Sequence, residues 1–308
     1  MPELPEVETI RRQLAPLVQG RTLERIEVLD PRWPRPLSER DLSDALTGRR
    51  VERLGRRGKY LLWSFSQDVH LAQHLRMTGA VLVDPHPEPA HTRVRIWLSG
   101  GRFLAIDDPR RFGTGELLLG AHALDAFFAA RLGLEPFDDA FTAQHLLALA
   151  RARTAPVKAL LLDQRRIAGV GNIYADEALH RAEVHPRTPA GRLTLAQWER
   201  VRESIVAALS AGIDARGASI DDFRHVDGVR GSFQHQFLVH LRAGQPCTRC
   251  GGAIVKLLVA GRGTYVCETC QPRPRARAPH ARSRSASAPL RPRADRPGAR
   301  SPRRPGPR

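Results

Sequence analysis

The chain contains four cysteines, and all of them fall in one pattern: Cys247-x2-Cys250, sixteen residues, then Cys267-x2-Cys270. Four thiolates at that spacing suit a closed tetrahedral site for one structural zinc ion. Two disulfides are the alternative, but they need an oxidising compartment. The first thirty residues carry charges throughout and lack an apolar export core, which argues against that compartment. A ribbon this small buries little, so the metal must hold the hairpin of residues 254–266 in shape. Its tip, Gly261-Arg262-Gly263, then projects one arginine.

A second reactive feature is the opening Met1-Pro2-Glu3-Leu4-Pro5-Glu6. Removal of Met1, favoured by a small second residue, leaves Pro2 with a secondary amine. An α-amino group titrates near pH ~8, so an appreciable neutral, nucleophilic fraction exists around neutrality. At the positive end of a helix macrodipole its ammonium form is further disfavoured. Attack on an electrophilic carbon gives an iminium, as in lysine Schiff-base chemistry. Glu3 beside the amine could move protons, and Glu6 lies one helical turn on. Proline and glutamate also simply favour the first turn of a helix, so composition alone leaves both readings open. Cations other than Lys59, Lys158 and Lys256 are all arginine. Lysine is a compact charge with a shiftable pKa, a property that arginine lacks.

The elements that must position these residues follow from periodicity. Val7, Ile10, Leu14, Leu17 and Val18 recur at helical spacing before Gly20, predicting a first amphipathic helix over 3–18. From residue 22 to about 116 short β-rich runs follow, among them 60–65, 69–75, 80–83 and the alternating 94–98, then a Ser-Gly-Gly turn into 103–106. That pattern predicts an antiparallel sandwich. After Gly133 helical periodicity returns in about 141–151, 155–163, 172–182 and 194–211. Residues 213–234 read as a long loop, and such loops often carry function. The predicted class is α+β: 1–132 as an N-terminal helix with a β-sandwich, 133–235 as a helical domain, 236–271 as a cysteine hairpin, and 272–308 as a disordered basic tail.

The net charge of +17 is uneven: residues 272–308 contain twelve arginines and one aspartate, which leaves +6 for residues 1–271. A basic body with a very basic tail points to a polyanionic partner, most simply nucleic acid. No run of 18 apolar residues occurs, so no membrane-spanning helix is expected. A cytoplasmic protein is expected.

The opening and six further segments together resemble the bacterial formamidopyrimidine-DNA glycosylase family across residues 1–271. The six are Gly58-Lys59-Tyr60-Leu61, His74 to Gly79, Asp108 to Gly113, Gly169 to Ala175, Gly228 to Gln234, and the cysteine hairpin. The resemblance implies a helix-two-turn-helix element around 145–185 and a zinc-finger hairpin. It also implies a nucleoid-associated, monomeric bacterial repair enzyme that acts on double-stranded DNA containing oxidised bases or abasic sites. Pro2 would be the nucleophile toward sugar C1′, Glu3 the proton donor, with Lys59 and Arg262 completing the catalytic set. Glu6, Met77, His91, Arg110, Phe112, Lys158 and Asn172 would contact DNA or arrange the site. Such chemistry requires the nucleotide to be flipped out, and Met77, Arg110 and Phe112 would fill the gap. Asn172 at a helix start would offer a phosphate site, with Lys158 on the same track. Ser219 to Phe223 would read the base.

Several positions depart from the family pattern. Ser219 stands for threonine, His240-Leu241 for Tyr-Gly, Leu134 for proline and Arg93 for histidine, and the tail has no counterpart, reading instead as an accessory nonspecific DNA-binding arm. The activity implied is removal of 8-oxoguanine and formamidopyrimidines followed by β and δ elimination, with zinc structural and no redox or nucleotide cofactor. The sister family resembling endonuclease VIII, which excises oxidised pyrimidines, is the near rival; Leu4 and the Met77, Arg110, Phe112 set favour the purine enzyme. A noncatalytic zinc-ribbon binder is the rival of another class, and it would need no free amine.

Overall fold

Leu4, Val7, Ile10, Leu14 and Val18, spaced for one helical face, form the inner stripe of α1 (Leu4–Val18) and are all fully buried. The stripe does not face a single core. Leu4 packs into a helical core, whereas Val7 to Val18 pack into the core of a β-sandwich. The computed structural model describes residues 1–219, 226 and 230–274; most of the loop beyond Ser219 and the basic tail from 275 lie outside these.

The strands are β1 (Leu23–Val28), β2 (Val51–Arg57), β3 (Tyr60–Phe65), β4 (Val69–His74), β5 (Ala80–Val83), β6 (Thr92–Leu98), β7 (Arg102–Asp107) and β8 (Thr114–Leu119). They form two four-stranded antiparallel sheets, ordered β1-β6-β7-β5 and β2-β3-β4-β8. In β6 burial alternates along the strand, as expected for one covered face. β4 is buried at all six positions because its outer face is also covered. The cover is α3 (Ala121–Ala129), where Phe127 packs on Tyr60, Ala72 and Leu118. Sequence periodicity predicts neither α3 nor α2 (Glu39–Leu46). Half of α2 is charged, and it is set instead by a Ser38–Asp41 capping box. The turn at Gly58 joins β2 to β3 with φ +57, so Lys59 leaves the sheet at its corner.

The helical half comprises α4 (Ala143–Ala150), α5 (Val157–Leu162), α6 (Asn172–Arg181) and α7 (Leu195–Asp214), close to the predicted spans. α6 is central: eight of its ten residues are buried. The final element pairs β9 (Val255–Val259) with β10 (Arg262–Val266). Their turn, Ala260-Gly261, has positive φ at both residues, as a two-residue primed hairpin requires, and starts β10 at exposed Arg262.

Ile10 packs in the sandwich core with no accessible surface. Ile10→Ala is expected to lower stability by about 2–5 kcal/mol, read as a lower denaturant midpoint with unchanged slope.

Candidate active site

A cleft of about 700 Å³ is lined by Pro2, Glu3, Glu6 and Lys59, with Asn172 and Arg262 on the helical and hairpin side and Met77 and Phe112 on the sandwich side. The structure thus gathers most of the residues singled out from sequence around one space.

Pro2 is buried and immediately precedes Glu3, the N-cap of α1, so its nitrogen sits near that helix's N-terminal end. Glu3 is 2 % exposed, and its carboxylate accepts N–H bonds from Ile173 (3.0 Å) and Tyr174 (3.5 Å) in the first turn of α6. This helix terminus, expected to hold a phosphate, holds a carboxylate of the protein itself. The physical preference for negative charge there is the same. Glu6 accepts from Glu3 N (2.8 Å) through Oε2, and from the Tyr174 hydroxyl (2.7 Å) and Ala218 N (2.8 Å) through Oε1. Burial, reinforced by the Glu3 charge, pushes the Glu6 carboxyl above its ordinary range, while the three donors oppose the shift. Two glycines make room for these carboxylates. A Cβ on Gly171 would overlap the Glu3 carboxylate, and one on Gly217, at φ +78, would press on Glu6.

Lys59 is 5 % exposed; burial lowers its pKa, Arg262 adds to that, and Glu3 and Glu6 oppose it. His74 also lines the cleft. Its Nδ1 accepts the Arg76 N–H at 2.9 Å. Burial, with Arg76 and Lys59 nearby, brings its pKa down to about 3, so the ring is neutral at physiological pH.

Lys158 does not face the cleft, contrary to the expected phosphate contact. Its side chain has no accessible surface, and Nζ binds Asp176 Oδ1 (2.6 Å), Thr264 Oγ1 (2.7 Å) and Gly263 O (3.4 Å). Asn172 is the first residue of α6, with Gly171 as its cap, and its Nδ2 donates to the same Gly263 oxygen at 3.0 Å. Both side chains therefore pin the residue next to Arg262. The second Asp176 oxygen takes His240 Nδ1 (2.9 Å) and Tyr265 N (3.3 Å), and neighbouring Glu177 accepts the N–H groups of Leu238, Val239 and His240. One helix thus anchors Glu3 at its start and the hairpin at its middle. At its end, His180 Nε2 lies 3.4 Å from Cys247 Sγ.

Met77 and Phe112 are exposed, at 39 % and 51 %, instead of entering the core. The Arg110 guanidinium lies 5.1 Å from the Phe112 ring centroid. Met77 and Phe112 are both left in water at the mouth of the cleft, whereas residues of their type are usually buried. His91 is exposed but does not line the cleft. Of the expected base-reading segment 219–223, only Ser219 is described; it forms the loop stem, with Gly231 N donating to Ser219 Oγ and Ser219 N to Gln234.

The four Sγ atoms of Cys247, Cys250, Cys267 and Cys270 lie within 4.8 Å of one another, with pairs at 3.9 and 3.4 Å. Tetrahedral Zn–S bonds of about 2.3 Å put sulfurs roughly 3.8 Å apart, so this donor set fits one zinc ion.

Family models for the formamidopyrimidine-DNA glycosylase N-terminal domain and its H2TH domain match residues 1–115 and 132–224, and the zinc finger found in FPG and IleRS matches residues 244–273. A formamidopyrimidine-DNA glycosylase of Chloroflexus aurantiacus is 45 % identical, over 88 % of this chain and 98 % of the relative. The chain belongs to the formamidopyrimidine-DNA glycosylase family. Among solved structures, the MutM (Fpg) protein of Thermus thermophilus is 41 % identical with a TM-score of 0.80, covering 88 % of this chain and 98 % of that one. The Lactococcus lactis Fpg in complex with DNA containing an abasic site superposes with a TM-score of 0.82 at 34 % identity, over 88 % and 100 %.

This glycosylase is a DNA base-excision repair enzyme with one structural zinc. Sequence reasoning missed the positioning residues around its cleft. Tyr174, stacked on Phe233 at 5.2 Å, lay inside a recognised motif but gave no signal of its own. Asp176 and Glu177 could have been found: two acidic residues within an otherwise core-facing helix need partners.

Lys158→Met leaves the Asp176 carboxylate buried without its ammonium. A loss of about 3–5 kcal/mol is expected, with Lys158→Met/Asp176→Asn recovering part of it in a double-mutant cycle of unfolding free energies. His74 gives a pH prediction. Its folded pKa, about 3, lies below the unfolded value, so between about pH 6.5 and 3 the unfolded state binds the extra proton and stability falls as pH falls. In His74→Asn this acid-side decline should be shallower, measured as denaturant midpoint against pH; matching profiles would contradict a neutral buried ring.

Proposed function

We propose that, once Met1 is removed, Pro2 is the nucleophile of a bifunctional reaction on double-stranded DNA containing oxidised purines, 8-oxoguanine and formamidopyrimidines. The observation that carries this reading is the setting of Glu3. It is a buried carboxylate adjoining Pro2, held at the start of α6 and facing the same cleft as Lys59. A surface helix start has no reason to bury a carboxylate in that way.

In this reading the Pro2 nitrogen forms a bond to C1′ as the N-glycosidic bond breaks, and the base leaves with the bonding pair and takes a proton. Glu3 takes the proton that the Pro2 nitrogen sheds and donates it to the sugar ring oxygen, whose bond to C1′ breaks as the iminium forms. Loss of a C2′ proton then expels the 3′ phosphate by β elimination, and δ elimination expels the 5′ phosphate. Glu6 fixes the Glu3 backbone, and the lowered pKa of Lys59 suits it to proton exchange as well as to charge pairing. Met77, Arg110 and Phe112 fill the space left by the extruded nucleotide, Arg110 meeting the orphaned base. Arg262, held by Lys158 and Asn172 through Gly263, binds a phosphate beside the lesion. His91, exposed outside the cleft, contacts DNA away from the reacting atoms. The enzyme acts as a monomer, and the arginine-rich segment 272–308 adds nonspecific affinity.

Borohydride trapping on duplexes containing 8-oxoguanine, thymine glycol or an abasic site tests this reading. A covalent adduct with 8-oxoguanine, mapped to Pro2 by peptide mass spectrometry and lost in Pro2→Gly, is expected. Trapping confined to thymine glycol assigns the enzyme to pyrimidine lesions, and full activity in protein retaining Met1 overturns the mechanism.

A further inference from the structure

Beside the catalytic cleft runs a second groove of about 330 Å³ that shares Lys59, His74 and Arg76 with it and continues past Tyr60 to Arg131 and Arg165. Its charge is one-sided. Four cations line it against one carboxylate, Asp163, which is already engaged by Arg165 N at 3.1 Å and by the Arg166 guanidinium at 3.7 Å. Collecting like charges in a concave, partly buried surface is unfavourable unless an anion completes it.

The donors differ in how they are held. Arg131 is exposed yet fixed: its guanidinium lies 4.0 Å over the Phe127 ring, and Nη1 donates to Phe127 O at 3.2 Å, leaving its remaining N–H groups open. The Arg76 and Arg165 side chains are exposed and form no ion pair among the described residues. Tyr60 is 8 % exposed, its ring is locked edge-on against His74 and Phe127, and its hydroxyl forms no hydrogen bond among the described residues. With no protein partner and enough exposure to reach solvent, that hydroxyl is a free donor on a residue lining the basic groove.

We propose that this groove is a phosphate subsite for the bound DNA strand, in which Arg76, Arg131, Arg165 and the Tyr60 hydroxyl take one phosphate beyond those met in the catalytic cleft. The proposal rests on the glycosylase assignment, because the groove is continuous with the cleft where the damaged strand lies. Two sources share this chemistry: an internucleotide phosphate of the intact strand, or the terminal phosphate left after strand cleavage.

The test uses the full-length zinc protein and a duplex carrying an uncleavable tetrahydrofuran abasic analogue. Arg131→Gln/Arg165→Gln should bind about tenfold more weakly near 0.1 M salt. The slope of log K against log salt should be shallower by about 1, the value for roughly one phosphate contact. A methylphosphonate placed at one particular position of the damaged strand should weaken wild type but not the double variant, and Arg131→Lys/Arg165→Lys should retain the wild-type slope. Arg165→Gln alone, which changes an exposed side chain, should show a smaller loss of the same kind and guards against a folding artefact at Arg131. A strand ending at that position in phosphate or in hydroxyl separates the sources. Discrimination only between these ends assigns the subsite to product, and discrimination by the methylphosphonate assigns it to intact strand. Equal salt slopes, with wild type and variant responding alike at every position, overturn the subsite. If wild type fails to prefer abasic over undamaged duplex, it is the glycosylase assignment that falls, and the slopes still decide the subsite.

Discussion

The bond between the Glu3 carboxylate and the first-turn amides of α6 is the constraint on which this structure turns. Glu3 belongs to the segment leading into the sandwich, and α6 belongs to the helical half, so the contact fixes one half against the other at the point where Pro2 emerges. Leu4 N bonding to Gly169 O at 3.1 Å and the Glu6–Tyr174 bond repeat the connection within one helical turn. Because the carboxylate meets the positive end of α6 and Lys59 shares the cleft, the charge is compensated without a permanently paired ammonium in contact.

α6, with the neighbouring α5, carries an unusual load of buried ionisable groups. Asp176, Glu177 and Lys158 have almost no exposure, and ion pairs so placed contribute little net stability over apolar packing. Their effect here is geometric. Asp176 unites Lys158, His240 and the β10 backbone, and Glu177 unites three successive amides of the segment before the zinc ribbon. Arg262 therefore inherits its place from a helix core, with the metal securing the other end of the ribbon.

Much of this was written in the chain at the level of pattern. The stripe of α1, the alternation in β6, the Cys-x2-Cys pairs and the Gly-x-Gly entry to α6 are local signals, and each produced the element expected of it. The short α2 and α3 escaped because neither is defined by its own apolar period: α2 is set by its Ser38–Asp41 capping box, and α3 is fixed by its packing over β4. Two further residues show what local spacing does not carry. Spacing places Lys158 on a helix but does not say which way that helix is rolled, and it turned the ammonium inward to Asp176. Asn172 opens α6 as expected, yet the anion site there was already occupied by Glu3 from the far end of the chain, a tertiary fact invisible to local reading. Leu241 shows the converse. It stands where glycine was expected and still adopts φ +58, so the turn persists through its surroundings and tolerates a side chain that is half exposed.

The missing side chains of Gly169, Gly171 and Gly217 are in effect filled by Leu4, Glu3 and Glu6, whose atoms lie where each Cβ would go. Such pairs are mutually exclusive in space, so neither member can drift independently: enlarging the glycine demands a smaller partner, and two of the partners are acidic groups at the heart of the cleft. A side chain added at any of the three glycines requires its partner to move. The molecule has an epistatic lock whose key is the absence of a methyl group.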